Sequence, residues 1–266
     1  MAFRIATWNI NSVRLRAPLV LRFLAEERPD VLCLQEIKTT QDAFPAALLA
    51  EAGYPHQAVA GQIGYHGVAT LARAPFQRSW SAEICTRGHA RHIAVALENG
   101  IELHNFYVPA GGDIPDPEQN EKFAHKLEFL RTMTRHFGSM KNKAGDPRIL
   151  VGDLNVAPLE NDVWSHKQLL DVVSHTPIEV EHLTALRESH DFEDVTRRVI
   201  PPEDKIYSWW SYRARDWRAS DRGRRLDHIW LSPALKSSFE SHAIRKDVRG
   251  WTQPSDHVPV ITGLAL

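Results

Sequence analysis

The stretch Arg148-Ile-Leu-Val-Gly-Asp-Leu-Asn155 carries the strongest signal for the fold. Its apolar run predicts a buried strand, and the polar residues of Asp153-Leu-Asn155 follow at the point where that strand ends. The same pattern occurs at the first predicted strand, which ends in Asn9 and Asn11, and in Asp30-Val-Leu-Cys-Leu-Gln-Glu36. We therefore predict a sheet whose strand ends carry polar side chains to one rim.

The last part of the chain shows the reverse arrangement, with acidic residues placed before strands. Asp227 opens the predicted strand 228–231, and Asp256 and His257 open the predicted strand 258–264. Antiparallel neighbours bring the start of one strand beside the end of another, so these side chains can meet at the same rim. Converging carboxylates repel each other, so a bound divalent cation is a physical expectation. Oxygen ligands favour Mg²⁺, with Mn²⁺ as an alternative, over zinc.

Predicted strands and helices alternate without a strict β-α-β order, and the turn Glu98-Asn99-Gly100 predicts a hairpin. This order favours mixed sheets packed against each other with helices outside, in a single domain over 1–266. Strands are predicted near 3–11, 30–36, 67–73, 92–97, 101–108, 148–155, 226–231, 242–248 and 258–264. Helices are predicted near 18–29, 43–52, 117–137, 164–170 and 183–192.

The composition sets limits on location and partners. The chain has 266 residues, 43% of them hydrophobic and 24% charged, which is typical of a globular protein. It contains no apolar run near the ~20 residues that span a membrane and begins without a leader pattern, so we expect a cytoplasmic protein without a membrane partner. Its net charge of −1 means that nucleic-acid contacts must come from a local basic patch. Cys33 and Cys85 cannot form a zinc site alone.

Each polar residue at the predicted rim also has a simpler interpretation. Glu36 could cap a helix, and Asp153-Leu-Asn155 and Asp256 could belong to turns, which Asp and Asn favour. His257 could be a core histidine, and Tyr107 an ordinary strand aromatic. Their occurrence together, in order along the chain, favours a functional site.

Seven short blocks connect these residues. They are Thr7-Trp-Asn-Ile-Asn11, Leu34-Gln-Glu-Ile-Lys38, Gly64-Tyr-His-Gly-Val68, Asn105-Phe-Tyr-Val-Pro109, Gly152-Asp-Leu-Asn-Val156, Arg225-Leu-Asp-His228 and Ser255-Asp-His-Val-Pro259. In this order they resemble the exonuclease III family of abasic-site endonucleases, from the first predicted strand to the last. The resemblance implies a four-layer α/β sandwich, with two mixed sheets face to face and helices outside. It also implies a Mg²⁺-dependent DNA repair phosphodiesterase, which we expect to act as a monomer on double-stranded DNA with abasic sites or blocked 3′ ends.

The resemblance further implies roles for the matched residues. Glu36 would bind the metal ion, with Asn11 and Asp256 nearby. Asp153 would orient and deprotonate the attacking water, although a metal-bound hydroxide is an alternative base. These roles agree with the chemistry, because a water nucleophile needs a base within hydrogen-bond reach.

Five more residues complete the catalytic set that the resemblance implies. Asn9 and Asn155 would hold the scissile phosphate and position the aspartate. His257, paired with Asp227, would donate to a non-bridging oxygen, and the aspartate behind the ring favours the charged imidazolium. Tyr107 would contact the phosphate or assist the leaving oxygen.

A basic cluster is predicted to bind the substrate. The range 213–225 holds six arginines against two aspartates, with Trp217 among them. Arginines with interleaved aromatics suit phosphate contacts and stacking on an exposed base or sugar, although a solvated loop is the simpler interpretation. In the resembling family this region forms the pocket wall for a flipped-out abasic sugar. The predicted contacts are Trp209, Trp210, Arg222, Arg224 and Leu226, with one of the two tryptophans expected in the core.

Two other functions are compatible with the same residues. The same fold and metal would also suit hydrolysis of another phosphodiester, such as RNA, a phospholipid or a phosphoinositide. A non-catalytic DNA-binding paralogue is the third interpretation. The Trp209-Trp210 pair and the Arg225-Leu-Asp227 block favour DNA repair, and the complete set of polar rim residues favours a working enzyme. Ala110 stands where the family usually carries an amide, which leaves the order of abasic-site incision, 3′ exonuclease and 3′-end cleaning open.

Overall fold

The computed structural model describes residues 2–140 and 145–266. The strands are β1 (Phe3–Asn9), β2 (Val31–Gln35), β3 (His56–Ala60), β4 (Val68–Ala72), β5 (Phe76–Trp80), β6 (His92–Leu97), β7 (Glu102–Tyr107), β8 (Arg148–Asp153), β9 (Glu193–Asp194), β10 (Trp209–Trp210), β11 (Gly223–Arg224), β12 (Asp227–Leu231), β13 (Phe239–Ile244) and β14 (Val260–Leu264). The α-helices are α1 (Val13–Glu27), α2 (Ala46–Glu51), α3 (Glu121–Gly138), α4 (His166–Leu169), α5 (Pro177–Ser189), α6 (Val195–Val199) and α7 (Trp217–Ser220).

Twelve of these strands form two mixed sheets of six strands each. The first sheet has the order β13-β14-β1-β2-β4-β3, and the second has the order β5-β6-β7-β8-β12-β9. The two remaining strands, β10 and β11, form a separate two-stranded sheet, and single bridges join Arg224 to Val163 and Trp209 to His257. Both large sheets combine parallel and antiparallel pairs, as the irregular element order predicted.

Three apolar clusters hold the layers together. One lies between the two sheets and includes Cys33, Val151 and Ile229. A second packs α1 against the outer face of the first sheet, and a third packs α3 and α5 against the outer face of the second. The α/β sandwich with helices outside is therefore confirmed. Among the residues described, no helix combines the length and apolar character needed to cross a membrane.

The predicted element bounds need several corrections. Helix α1 begins at Val13 rather than 18, and Arg16 has non-helical torsion angles, so Pro18 lies in the first turn after a kink. Helix α5 begins at Pro177, where Thr176 and Glu179 form a capping box. The strand predicted near 242–248 ends at Ile244 and is followed by a 3₁₀ helix. The short or edge strands β3, β5, β9, β10 and β11 were not predicted.

The strand directions place the predicted rim residues together. Strand β1 runs parallel to β2 and antiparallel to β14, and β8 runs parallel to β7 and antiparallel to β12. The ends of β1, β2, β7 and β8 therefore meet the starts of β12 and β14. In this register Asp153 lies directly opposite Asp227.

Gly152 allows β8 to approach β7 at the point where the strand reaches Asp153. Its φ is +139°, and an added Cβ would lie 2.0 Å from the Phe106 carbonyl oxygen. No other residue fits that backbone position without moving one of the strands. Gly152 therefore fixes where the peptide that carries Asp153 lies.

We predict that Gly152→Ala destabilises the fold by more than about 2 kcal/mol, because the new methyl group would overlap backbone atoms. Urea unfolding of the purified variant measures this loss. Gly138→Ala is the matched control, since its Cβ would meet only Ser189 Cβ at 3.9 Å. The control should be neutral or more stable by up to about 1 kcal/mol. Equal stability of the two variants would contradict the prediction.

Candidate active site

Three backbone turns at the strand ends carry the site residues. Asn11, Glu36 and Asn155 all have positive φ, at 48°, 48° and 54°. Asparagine tolerates this conformation, whereas a glutamate rarely adopts it. The Ser12 amide donates to the Glu36 carbonyl at 2.7 Å and holds that turn in place. Such conformations are costly and cluster at functional sites.

The carboxylate of Asp153 lies at the centre of the site and is almost fully buried. Its Oδ2 accepts from Asn9 Nδ2 at 2.8 Å and from Asn155 Nδ2 at 3.2 Å, and its Oδ1 accepts from the Asn155 amide at 2.9 Å. Burial raises the pKa of Asp153; the His257 charge opposes this effect and the Asp227 charge adds to it. A carboxyl group with a raised pKa is a suitable proton acceptor near neutral pH.

His257 is held between two aspartates. Its Nδ1 lies 2.8 Å from Asp227 Oδ2, and its Nε2 lies 3.7 Å from Asp153 Oδ2. Ser208 Oγ donates to the same Asp227 oxygen at 2.6 Å. Burial alone lowers the pKa of His257, but the charges of Asp227 and Asp153 outweigh it and raise the pKa to about 10. The ring is therefore an imidazolium at neutral pH.

Glu36 receives three donors at the open side of the site. Tyr107 Oη donates to Glu36 Oε1 at 2.8 Å, and Asn9 Nδ2 donates to the same oxygen at 2.9 Å. The Lys38 ammonium lies 2.9 Å from Glu36 Oε2 and 2.6 Å from Asn11 Oδ1. Burial, with the nearby charge of Glu36, raises the pKa of Tyr107 well above its usual value, so the phenol keeps its proton.

Asp256 is held by side chains from both ends of the chain. Asn11 Nδ2 donates to its Oδ1 at 3.0 Å, and Trp209 Nε1 donates to its Oδ2 at 2.9 Å. Burial raises the pKa of Asp256, but the His257 charge and these two hydrogen bonds outweigh burial and lower it. Asp256 is therefore ionised and faces the same opening as Glu36.

The donor atoms at this opening fit a hard divalent cation. Glu36 Oε2 and Asn11 Oδ1 both point at the Lys38 ammonium, which shows that the two oxygens converge on one position for a positive charge. Oxygen donors of this kind suit Mg²⁺ or Mn²⁺. A second acidic group, formed by Asp153, Asp227 and His257, has ligand atoms within 4.8 Å of one another. The protonated His257 makes that second group the poorer cation site.

A cavity of about 660 Å³ opens beside these residues and is lined by Glu36, Asn155, Trp209, Leu226 and His257, among others. Trp209 forms one wall, with the Arg224 guanidinium 5.3 Å from its ring centre. The substrate contact predicted for Trp210 is not supported. Trp210 is 1% exposed and packs in the core against Tyr207 and Trp217, because neighbouring residues of a strand face opposite sides.

The six arginines of the predicted basic cluster fall into three groups, of which Arg215 and Arg218 are exposed and lie outside the lining of this cavity. Arg213, Arg222 and Arg224 line the cavity, and Arg222 lies 4.6 Å from the Trp164 ring centre. Arg225 is fully buried, and its guanidinium forms ion pairs with Asp162 at 2.7 Å and with Asp194 at 2.8 Å. Arg225 is therefore a structural residue, and the predicted substrate contacts do not include it.

Sequence reasoning did not identify two polar residues of the site. Lys38 lies in one of the seven blocks but received no role, although it contacts both Glu36 and Asn11. Ser208 stands between two aromatic residues and supports Asp227 through its hydroxyl. Lys38 follows Glu36 by two residues, and that spacing was the only available signal.

Comparison with known proteins assigns the class. The model of the Endonuclease/Exonuclease/phosphatase family matches residues 6–257. The chain is 29% identical to exodeoxyribonuclease III of Haemophilus influenzae, covering 96% of this chain and 97% of that one. An AP endonuclease from Archaeoglobus fulgidus superposes with a TM-score of 0.91 at 30% identity, over 99% of this chain and 100% of that one. A 3′ phosphatase from Neisseria, bound to a product DNA hairpin, gives 0.90 at 30% identity, covering 99% of each chain.

The fold and the site thus define a hydrolase with an acidic rim that suits a metal ion. The chain belongs to the Endonuclease/Exonuclease/phosphatase family and, within it, to the exonuclease III family of hydrolytic nucleases. The resemblance carried by the seven blocks is confirmed.

We predict that Asp227→Asn shifts the alkaline loss of activity to lower pH. The imidazolium of His257 is present below its pKa of about 10 and is lost as the pH rises through that value. Removing the Asp227 charge removes the largest influence that raises this pKa, so the alkaline limb of kcat/KM should move down. Initial rates between neutral pH and pH ~10.5 measure the limb.

Asp30→Asn is the control for this pH profile, because Asp30 is half-buried beside Arg73 and precedes β2, at the end of that strand opposite to the rim. Its alkaline limb should coincide with that of the unchanged protein. An Asp227→Asn profile with the same alkaline limb would show that His257 does not act as an imidazolium.

Proposed function

We propose that this nuclease is a DNA repair phosphodiesterase that cleaves double-stranded DNA at abasic sites and removes nucleotides or blocking groups from 3′ ends. One observation supports the proposal most directly. The Asp153 carboxylate is fixed by two asparagines at a cavity rim, 3.7 Å from a protonated histidine. This arrangement places a proton acceptor and a positively charged hydrogen-bond donor next to each other at the rim of the cavity.

In the proposed reaction, a water molecule attacks phosphorus while its proton passes to Asp153. The P–O bond to the leaving sugar oxygen breaks, that oxygen takes up a proton from solvent, and Asp153 later releases the proton it accepted to solvent. Asn9 and Asn155 keep the Asp153 carboxylate in one orientation, so it needs no rearrangement at the moment of attack. The raised pKa of Asp153 matches its role as base near neutral pH.

His257 is proposed to stabilise the charge that develops on a non-bridging oxygen. Its Nδ1 is occupied by Asp227, so Nε2 is the atom directed at the reacting phosphate. Tyr107 keeps its proton and is proposed to donate to the phosphate or to the leaving oxygen.

We propose Mg²⁺ as the metal ion, held by Glu36, Asp256 and Asn11. When bound, the ion would neutralise charge on the phosphate oxygens and would favour the leaving group. The convergence of two oxygens on the Lys38 ammonium supports this position. Lys38 would then have to move aside or bind the phosphate itself.

The cavity beside the base is proposed to receive the abasic sugar. Trp209 and Leu226 offer apolar surface on one side, and Ala110 leaves space on another. A nucleotide without a base costs less to turn out of the helix than a paired one, which favours abasic substrates. We further propose that the chain acts as a monomer in the cytoplasm and folds as one domain, which the match of one family model to residues 6–257 supports.

A substrate panel tests this function. One duplex series would carry an abasic analogue, a recessed 3′ end, a 3′-phosphate or an RNA–DNA hybrid, each assayed with Mg²⁺ and with a chelator. We expect cleavage of the DNA substrates with Mg²⁺ and none after exhaustive chelation. Cleavage that survives chelation would overturn the metal assignment. Cleavage confined to the hybrid would overturn the DNA repair function.

Asp153→Asn provides the matched inactive control for the panel. The change keeps the shape of the side chain and removes the base, so kcat should fall by roughly 10²-fold or more. Affinity for abasic duplex should stay nearly unchanged, as measured by fluorescence anisotropy. A kcat close to that of the unchanged protein would show that this carboxylate is not the essential base.

We predict that the affinity for DNA depends on the exposed arginines that line the cavity. Arg213→Ala combined with Arg222→Ala should weaken binding to damaged and intact duplexes alike. It should also lower the slope of log affinity against log salt by about two, because each lost phosphate contact removes about one unit. Arg131→Ala with Arg135→Ala, on exposed positions of α3, is the control with equal charge loss. Equal slopes for the two double variants would contradict this prediction.

Trp209→Ala separates substrate fit from general affinity in the same titrations. It should reduce abasic-site cleavage, because it removes a wall of the cavity together with the hydrogen bond to Asp256. Affinity for intact duplex should stay unchanged, since no phosphate contact is lost. Arg224 is less suitable for this comparison, because it already donates to Val173 O and Ser174 Oγ at 2.8 and 2.7 Å.

A further inference from the structure

A cluster of one cysteine and three histidines lies outside the site described above. Cys85 and His89 come from the segment between β5 and β6, His125 comes from the first turns of α3, and His66 precedes β4. Cys85 Sγ lies 3.4 Å from His125 Nε2. In the part of the chain that the structure describes, the ligand atoms of Cys85, His89 and His125 all lie within 4.8 Å of one another.

Two imidazole nitrogens in this cluster are buried without a hydrogen-bond partner in the described structure, namely Nδ1 of His66 and Nδ1 of His89. Buried polar atoms normally have partners, so an unpaired one calls for an explanation. The His66 and His89 rings stack, with centres 4.2 Å apart and planes at 18°. This stacking fixes the orientation of His89 beside Cys85 and His125.

The geometry suits a metal with tetrahedral coordination. Zinc binds thiolate sulfur at about 2.3 Å and imidazole nitrogen at about 2.0–2.1 Å, which places two such ligand atoms about 3.6 Å apart. The separation of 3.4 Å between Cys85 Sγ and His125 Nε2 agrees with that distance. Sulfur and nitrogen donors select zinc-type ions over Mg²⁺, in contrast with the oxygen donors around Glu36.

The protonation states also favour ligand binding. Burial, followed by nearby positive charge, lowers the pKa of His66 and of His125 to about 4 and lowers that of His89. These rings are therefore neutral at pH 7 and have a free lone pair. Arg87 and Arg91 face the cluster and oppose a cation, but Arg87 lies 3.7 Å from Glu121, and Arg91 stacks on the Tyr107 ring at 4.7 Å.

We propose that Cys85, His89 and His125 form a second metal site that binds one zinc-type transition-metal ion, with His66 supporting His89 from behind. Binding releases the thiol proton of Cys85 to solvent as the sulfur–metal bond forms, and the thiolate offsets the positive charge of the ion. Three protein ligands leave a fourth position open toward a cavity of about 730 Å³ that Cys85 and His89 line. The ion would connect the segment between β5 and β6 to α3.

Zinc competition against a chromogenic chelator, with excess Mg²⁺ present, tests the proposal on the full-length chain. We expect one zinc ion per chain, and an affinity at least about tenfold lower in Cys85→Ser and in His125→Gln. Cobalt loading should give a sulfur-to-metal charge-transfer band that Cys85→Ser abolishes. Thermal unfolding in chelator should give the same Tm for the ligand variants and the unchanged chain.

Two controls separate this site from the alternatives. His182→Gln removes a histidine that also has a buried unpaired nitrogen but has no cysteine partner, and Glu36→Gln alters the proposed Mg²⁺ site. Both should keep zinc affinity. The proposal is overturned if the unchanged chain does not compete for zinc, if Cys85→Ser and His125→Gln bind it equally well, or if only Glu36→Gln weakens binding. Should Cys85→Ser unfold in chelator, His89→Gln replaces it, with the same tenfold loss expected.

Discussion

The site depends on two buried carboxylates that face each other across neighbouring strands. Asp153 ends β8 and Asp227 begins β12, and the strand register places them in direct opposition. Both are shielded from water, so their charges require compensation within the protein. His257 supplies it, with one ring nitrogen near each aspartate. Loss of one partner from such a buried arrangement of charges costs about 3–5 kcal/mol of folding stability. The same charges therefore serve both the proposed chemistry and the stability of this rim.

This arrangement spans the two sheets, because Asn9 and His257 come from the first and the aspartates from the second. Polar contacts below the rim fix the sheets relative to each other. Asn105 on β7 donates to the carbonyls of Leu34 and Ala69 at 3.2 and 3.0 Å, and it accepts from Gln35 at 2.7 Å. The Asn105 side chain thereby has a partner for each of its polar groups, whereas Gln35 Oε1 is buried without a partner in the described structure. Buried hydrogen bonds between the layers favour one alignment of the sheets. The distance between Asn9 and Asp153 is therefore set by the packing of whole sheets.

The sequence predicted the buried strands and their polar ends, because continuous apolar runs and carboxylates at strand ends are local signals. It did not predict β10 and β11, which have two residues each and no periodicity to read. It did not separate Trp209 from Trp210, since adjacent strand residues face opposite sides and the sequence does not say which side is buried. The role of Arg225 depends on Asp162, which lies 63 residues earlier. Such long-range pairs leave no local pattern.

A buried ion pair connects the turn that carries Asp153 and Asn155 to Arg224, which lines the cavity. Lys126 on α3 pairs with Glu179 on α5, and its ammonium donates to the Asn155 carbonyl at 2.7 Å. Glu179 accepts from the Ser174 amide at 2.9 Å, and Ser174 Oγ accepts from Arg224. Removing either charge would leave the other buried and unpaired, which destabilises the fold. The segments that carry Asn155 and Ser174 therefore cannot move independently without disturbing this ion pair. Helices α3 and α5 therefore contribute to the site by fixing the position of Asp153 relative to Arg224.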